Sequence, residues 1–444
     1  MIYRLLILIA AVFPAFADEY PQWLGPQRDG VYREKDLLTN FPKTGPKILW
    51  RAPIAAGYSQ PAVVPGKVIV TDHILQQGTK APDNPFARGS LPGVERVLCL
   101  DDTDGHQLWK VEYDCPYTIS YASGPRTTPA IEGDRVYTLG SEGNIYCIDI
   151  NSGKVVWKKK LEGQPPIWGY SGSPLIAGDN LIILSSGHPV LTAFNKTTGD
   201  IAWSALESKE PGYSPPMLFT IAGQQQLIQW YPDAFAALDP KTGKQIWALP
   251  YGPARMGVSI ATPLRISNDT FILSTQYEGT SSIQIKNNEP TLLWHAASKG
   301  RAVSTLHALH SPLTFLNNQI LGINNTGEML SISATDGHVL WTTNQPTLGS
   351  ADPIKWTAAF ITPCQPNPNE PATKVFIANE KGDLMLSHID TKGYTEIARA
   401  HLLEPTNADA QRFVIWSHPA YAHQSIYWRN DKELIRASLK AGGN

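Results

Sequence analysis

Eight short stretches of this 444-residue chain concentrate the side chains that bind ligands. They are Gly57-Tyr58-Ser59, Ser123-Gly124-Pro125-Arg126, Trp168-Gly169-Tyr170-Ser171, Gly212-Tyr213-Ser214, Arg255-Met256-Gly257, His307 to His310, Asp352 to Trp356, and Trp416-Ser417-His418. Their chemistry is that of a flat, anionic ligand. Arg126 and Arg255 offer planar double donors to a carboxylate, and Trp168, Trp356 or Trp416 offers a face on which a ring stacks. Tyr58, Tyr170, Tyr213, His307, His310 and His418 add polar edges, so all eleven are candidate ligand-binding residues. A bland reading stands beside this one: tight turns need Gly, Ser and Tyr anyway, and an Arg can simply satisfy backbone carbonyls. Catalysis has one weak candidate, Asp352, as a base; a solvated surface carboxylate is the commoner fate of such a residue. His307 and His310 lie three apart, which on a strand puts them on opposite faces, and no Cys or carboxylate nearby completes a zinc set, so no metal site is expected. There is no Cys-x-x-Cys-His, Gly-x-Ser-x-Gly or phosphate loop.

What must position these stretches is a repeat. The phrase 98-LCLDDTDGHQLW-109 returns as 146-YCIDINSGKVVW-157, 192-TAFNKTTGDIAW-203, 236-AALDPKTGKQIW-247 and 330-LSISATDGHVLW-341, with a worn copy at 283-IQIKNNEPTLLW-294. Successive closing tryptophans fall 48, 46, 44, 47 and 47 residues apart, a period that means a propeller or solenoid. Each period alternates short apolar runs with turn residues, the pattern of a four-stranded antiparallel meander. Glycine four residues before the tryptophan supplies a positive φ, and the tryptophan begins the outermost strand as packing between blades, not as a functional group.

First strands are expected near Pro61, Pro129, Pro174, Pro216, Pro263, Pro312, Pro363 and Pro419. The seventh unit keeps Gly393 but has Ile397 in place of tryptophan, and the eighth ends at 434-LIRASL-439 without a fourth strand. That strand is available as 48-ILWRAPI-54, so the expected fold is all-β: an eight-bladed propeller closed by its N-terminal strand. Seven blades plus a tail is the alternative. The eight ligand-type stretches are the entries to the innermost strands and so converge on one mouth. A long Pro/Gly-bearing segment, residues 75–95, joins two strands at that same mouth, as a cover or as a loose insertion.

Residues 1–17 read as a signal peptide: Arg4, an apolar run from Leu5 to Phe13, and Ala15-Phe16-Ala17 before the cut. The run is too short to span a bilayer. Residues 18–46 form an N-terminal extension, 47–440 the propeller and 441–444 a tail. The expected location is therefore exported, periplasmic or secreted, with no membrane span in the mature chain. A net charge of −2 gives no footprint for nucleic acid. Cys99 and Cys147 occupy the same position of neighbouring repeats, and Cys115 and Cys364 lie in distant ones, so all four are expected to be free thiols.

Over roughly residues 45–440 the repeated phrase resembles the tryptophan-docking repeat of the pyrroloquinoline quinone (PQQ) repeat propellers, and 20-YPQWLGPQRDGV-31 is similar to the start of exported members. The resemblance implies two kinds of function. One is a quinoprotein alcohol or sugar dehydrogenase that binds PQQ with calcium through an active-site Asp, a Glu and an Asn beside a disulfide of adjacent cysteines. The other is a non-enzymatic, BamB-type propeller of outer-membrane assembly, with an envelope protein as partner. This chain departs from the enzyme pattern: it has no Cys-Cys pair, and near the mouth only Asp352, Glu404 and Asp409 are acidic. The reading favoured is a propeller that binds a small anionic or aromatic ligand, or a partner protein, at its loop face.

Overall fold

The computed structural model describes residues 19–252, 259–297, 305–349, 352–367, 369–409 and 412–442. Among them are eight four-stranded antiparallel sheets, one two-stranded hairpin and no helix. Blade one is Ala62–Val64, Lys67–Leu75, Gly93–Asp101 and Gln107–Asp114, and six more meanders follow in chain order. Blade eight takes Ala420–Ala422, Ser425–Arg429 and Glu433–Ser438 from the C-terminus and Ile48–Pro53 from the N-terminus. The register Arg51↔Ile435 and Ala52↔Leu434 closes the ring as expected. First strands of successive blades pack side by side, so they line the axis.

The repeated phrase is legible in atoms. Its Asp or Asn caps the third-to-fourth-strand turn: the Asp149 carboxylate accepts from Asn151 N and Ser152 N, and the Asn195 amide oxygen from Thr197 N and Thr198 N. Its glycine does two things. Gly153 sits at φ +71°, and a Cβ there would lie 2.8 Å from Cγ of Trp109 in the preceding blade. The same indole-on-glycine contact joins Trp50 to Gly105, Trp157 to Gly199, Trp203 to Gly243 and Trp294 to Gly337. Trp50, Trp109, Trp157, Trp294 and Trp341 donate their indole N–H to Asp102 O, Ile150 O, Lys196 O, Ala334 O and Asp390 O, each in the next blade. Trp247 faces the worn repeat and donates to Gln226 Oε1 of its own blade instead.

A bulge before the tryptophan recurs, as between Cys99 and Leu100 opposite Gln107 and Trp109. It turns the skipped residue outward, which is why Leu49, Leu108, Val156 and Leu293 are exposed.

Two expectations need correcting at blade seven. Pro363 lies inside the first strand, Ala359–Cys364, paired with Val375, rather than ahead of it. The tryptophan position is Ala398, paired with Leu386; Ile397 is the bulge residue, because the turn before it is tighter. The gap left by the small side chain is filled by the N-terminal extension. Tyr32, Leu37 and Phe41 pack with Ala398, Ala400 and Phe376, and the Phe41 and Phe376 rings stack at 6.5 Å. All four cysteines are free. Residues 1–17 and Arg255 lie outside the described residues, and among those residues no helix is long and apolar enough to cross a membrane.

Candidate functional site

At the mouth end, where chains enter the first strands, the axis opens into a cavity of about 540 Å³. Tyr58, Arg126, Trp168, Tyr213, His310, Trp356, Trp416 and His418 line it, all anticipated from the entry stretches. Trp23, Phe86, Tyr121, Tyr277 and Lys355 line it too and were not singled out. Three anticipated residues do not line it. Gly169 turns at φ +73°, which sends Tyr170 back into the core beside Leu139 and Leu161 while Trp168 remains at the cavity. His307 is buried with Nδ1 3.1 Å from Gln276 O. Asp352 is exposed and does not line the cavity.

The wall is aromatic. Tyr58 stacks on Trp416 at 6.3 Å, Trp168 meets Tyr213 at 5.1 Å, and His310 meets Trp416 edge-on at 5.2 Å. The long loop between Leu75 and Gly93 folds over the mouth. Tyr121 N donates to Pro85 O (2.7 Å), Ser120 Oγ to Phe86 O and Arg88 Nε to Thr118 O. This sets the Phe86 ring 5.0 Å from Tyr121 and 5.6 Å from Trp356, bridging connections on two sides of the mouth. Tyr121 and Trp356 hold φ of +54° and +63°, a conformation that bulky side chains rarely adopt and that clusters at ligand clamps. Trp356 is kept there by its N–H to Asn325 O at 2.6 Å.

Behind this wall lies buried Glu380. It accepts from Arg412 (2.7 Å), Trp416 Nε1 (3.3 Å) and Ala358 N (3.1 Å), tying the Trp356 connection to the Trp416 connection.

The described residues that line the cavity carry positive charge only, and the Glu380 carboxylate behind them is paired with Arg412. Arg126 spends its guanidinium on Gly124 O (2.8 Å), Tyr121 O (2.6 Å), Ser120 O and Ser141 Oγ, with Cζ 5.1 Å from the Tyr58 centroid. Burial lowers its pKa. Lys355 is exposed at the cavity. Buried Arg28 donates to Pro174 O and Pro216 O, both at 3.1 Å, next to cavity-lining Pro215, and burial lowers its pKa to about 9. Burial also lowers His310 to about 4 and His418 to about 3, so both are neutral at pH 7. Among the described lining residues there is no carboxylate.

A calcium-bridged quinone needs several anionic oxygens around the ion. The rings suit a flat cofactor, but this donor set does not fit its calcium. The Asp101, Asp104 and His106 cluster is on an outer turn of blade one, at the other end of the molecule, and its carboxylates accept from turn amides.

Residues 93–343 match the family of outer membrane protein assembly factor BamB. Quinohemoprotein alcohol dehydrogenase ADH IIB of Pseudomonas putida is 22% identical over 35% of this chain and 22% of its own length. Tetrathionate hydrolase of Acidithiobacillus ferrooxidans is 23% identical over 65% of this chain and 62% of its own. The chain thus spans less than two thirds of each of these relatives. The solved structure of BamB from Moraxella catarrhalis superposes with a TM-score of 0.56 at 13% identity, covering 87% of this chain and 98% of that one. With more than half its length matched by that family, and eight meanders in a closed ring, the chain belongs to the BamB-like PQQ-repeat propellers.

Proposed function

We propose that this is an exported PQQ-like propeller that binds a flat, aromatic, anionic small molecule in its axial cavity, with no catalytic step assigned to it. The observation that carries the reading is the cavity's make-up: stacked rings, cations in and beside the wall, and no carboxylate among the described lining residues. An anion placed there offsets the cost of burying guanidinium groups that have only neutral acceptors. Export rests on the N-terminal sequence, with its short apolar run and small-residue cleavage site.

The test is a pair of isosteric probes followed by quenching of tryptophan fluorescence: biphenyl-4-carboxylate against biphenyl-4-methylamine. Saturable binding of the acid at micromolar concentration, with the amine at least about tenfold weaker, supports the reading. Equal or absent binding overturns it. The family match favours a second reading, a protein partner at the loop face. Co-purification of one envelope protein, lost when the mouth loop is shortened, would favour it.

The quinoprotein reading draws on the relative named quinohemoprotein alcohol dehydrogenase. Adding PQQ with and without calcium tests it. A quinone absorbance that survives desalting only with calcium, with alcohol-dependent dye reduction, would establish the enzyme against the donor set described above.

A further inference from the structure

The axis is closed from the end opposite the mouth by the chain's own N-terminal segment. Residues 20–31 run across the inner strands. Tyr20 N and O pair with Val63 at 2.8 Å, Pro21 O accepts from Ile131 N, Gln60 bridges Leu24 N and Pro419 O, and Arg28 reaches Pro174 O and Pro216 O. The segment then leaves between blades seven and eight, where Tyr32 N donates to Pro363 O. One side chain of this plug faces the cavity. Trp23 donates its indole N–H to Thr262 Oγ1 at 3.1 Å and lies edge-on to His418 at 4.6 Å. A second hollow of about 20 Å³ lies beside the plug, lined by Tyr20, Leu24, Asp29, Gly30, Gln60 and Phe360 among others, with Trp23 not in its wall. Pro312 and His418 border both spaces.

We infer that Trp23 is the floor of the binding cavity and the residue that determines how long a ligand it accepts. This rests on the reading of the cavity as a binding site for aromatic anions. An indole pinned at its nitrogen and flanked by His418 is a rigid stop, and a ring that does not fit above it must leave its acidic end or its far ring outside the wall. Removing the indole lengthens the site along the axis by the space the indole itself fills. Trp23 is a specificity-determining residue, not a catalytic one.

The experiment measures the dissociation constants of biphenyl-4-carboxylate and p-terphenyl-4-carboxylate for the wild type, Trp23→Ala, Trp23→Leu and Trp23→Phe. The wild type prefers the shorter acid. The preference shifts toward the longer acid by about tenfold or more in Trp23→Ala, less in Trp23→Leu, and little in Trp23→Phe. Where Trp23→Ala fails to fold, Trp23→Leu decides. Wild-type binding with an unchanged ratio in every folded variant overturns the floor while leaving the cavity reading intact. A wild type that binds neither acid overturns both.

Discussion

Arg126 was anticipated as a carboxylate donor, and its geometry gives it a different first duty. Three carbonyls and one hydroxyl already occupy it, so it holds the 120–126 connection in shape and lends its charge to the cavity indirectly. Arg126→Ala strips donors from Ser120 O, Gly124 O and Tyr121 O at once and should cost about 2–3 kcal/mol in urea unfolding. Arg126→Lys keeps the charge yet should recover less than half of that stability, because one ammonium cannot span the same fork. The histidines make a pH prediction with a definite sign. His310, His418 and His73 have pKa values lowered by burial from 6.5 to about 4, 3 and 4. Below pH 6.5 the unfolded chain takes up protons that the folded chain refuses, so stability falls as pH drops from about 6.5 toward 4 for His310 and His73 and toward 3 for His418, and these groups leave it unchanged above that window. Glu95, whose carboxyl burial raises, works in the opposite direction from its ordinary value of 4.5 upward. Comparing unfolding of His418→Gln with the wild type at pH 7 and pH 5 isolates one histidine: the variant should lose less stability between the two values.

At the scale of elements, the glycine and the tryptophan of the repeat form one device shared between two blades. Gly153→Ala must place a methyl 2.8 Å from Trp109 Cγ at φ +71° and should cost about 3 kcal/mol. Gly133→Ala also sits at positive φ, +56°, but meets nothing within 4 Å, so about 1 kcal/mol is expected; thermal unfolding of the pair separates strain from collision. This device is what made the blades legible from sequence, since a fixed turn and a fixed indole recur whatever the strands between them contain. The mouth was legible for the same reason, because residues just ahead of a first strand have nowhere else to go. Legibility failed where direction depends on one backbone angle. Trp168 and Tyr170 differ by a glycine at positive φ, and only the first reaches the cavity. It failed again for Trp23 and Phe86, which lie in segments with no periodicity and are placed by contacts distant in sequence. The Phe86 loop carries its own prediction. Phe86→Ala removes the ring that bridges Tyr121 and Trp356, and bound aromatic acid should leave about tenfold faster in stopped-flow dilution, with little change in melting temperature.

For the whole molecule, the stretch before blade one does three separable jobs. Residues 20–31 plug the axis, Tyr32 to Phe41 fill the space where blade seven lacks a tryptophan, and Ile48–Pro53 latches the ring. A propeller with a poor inter-blade contact is weakest at that seam, and here the seam adjoins the latch, so one segment covers both. Two truncations distinguish the roles. Removing residues 19–46 leaves the latch paired but takes Tyr32 and Phe41 from a packed interface, which should cost at least about 3 kcal/mol while the oligomeric state stays that of the full chain. Removing residues 19–54 also strips the partner from Glu433–Ser438, leaving an open strand edge in a sheet whose neighbours are full-length. Such an edge recruits another chain. Light scattering after size exclusion should therefore find species larger than those of the full chain for the second truncation alone. A cooperatively folding product of that truncation with the full chain's oligomeric state would mean that the C-terminal strands hold the ring without their N-terminal partner.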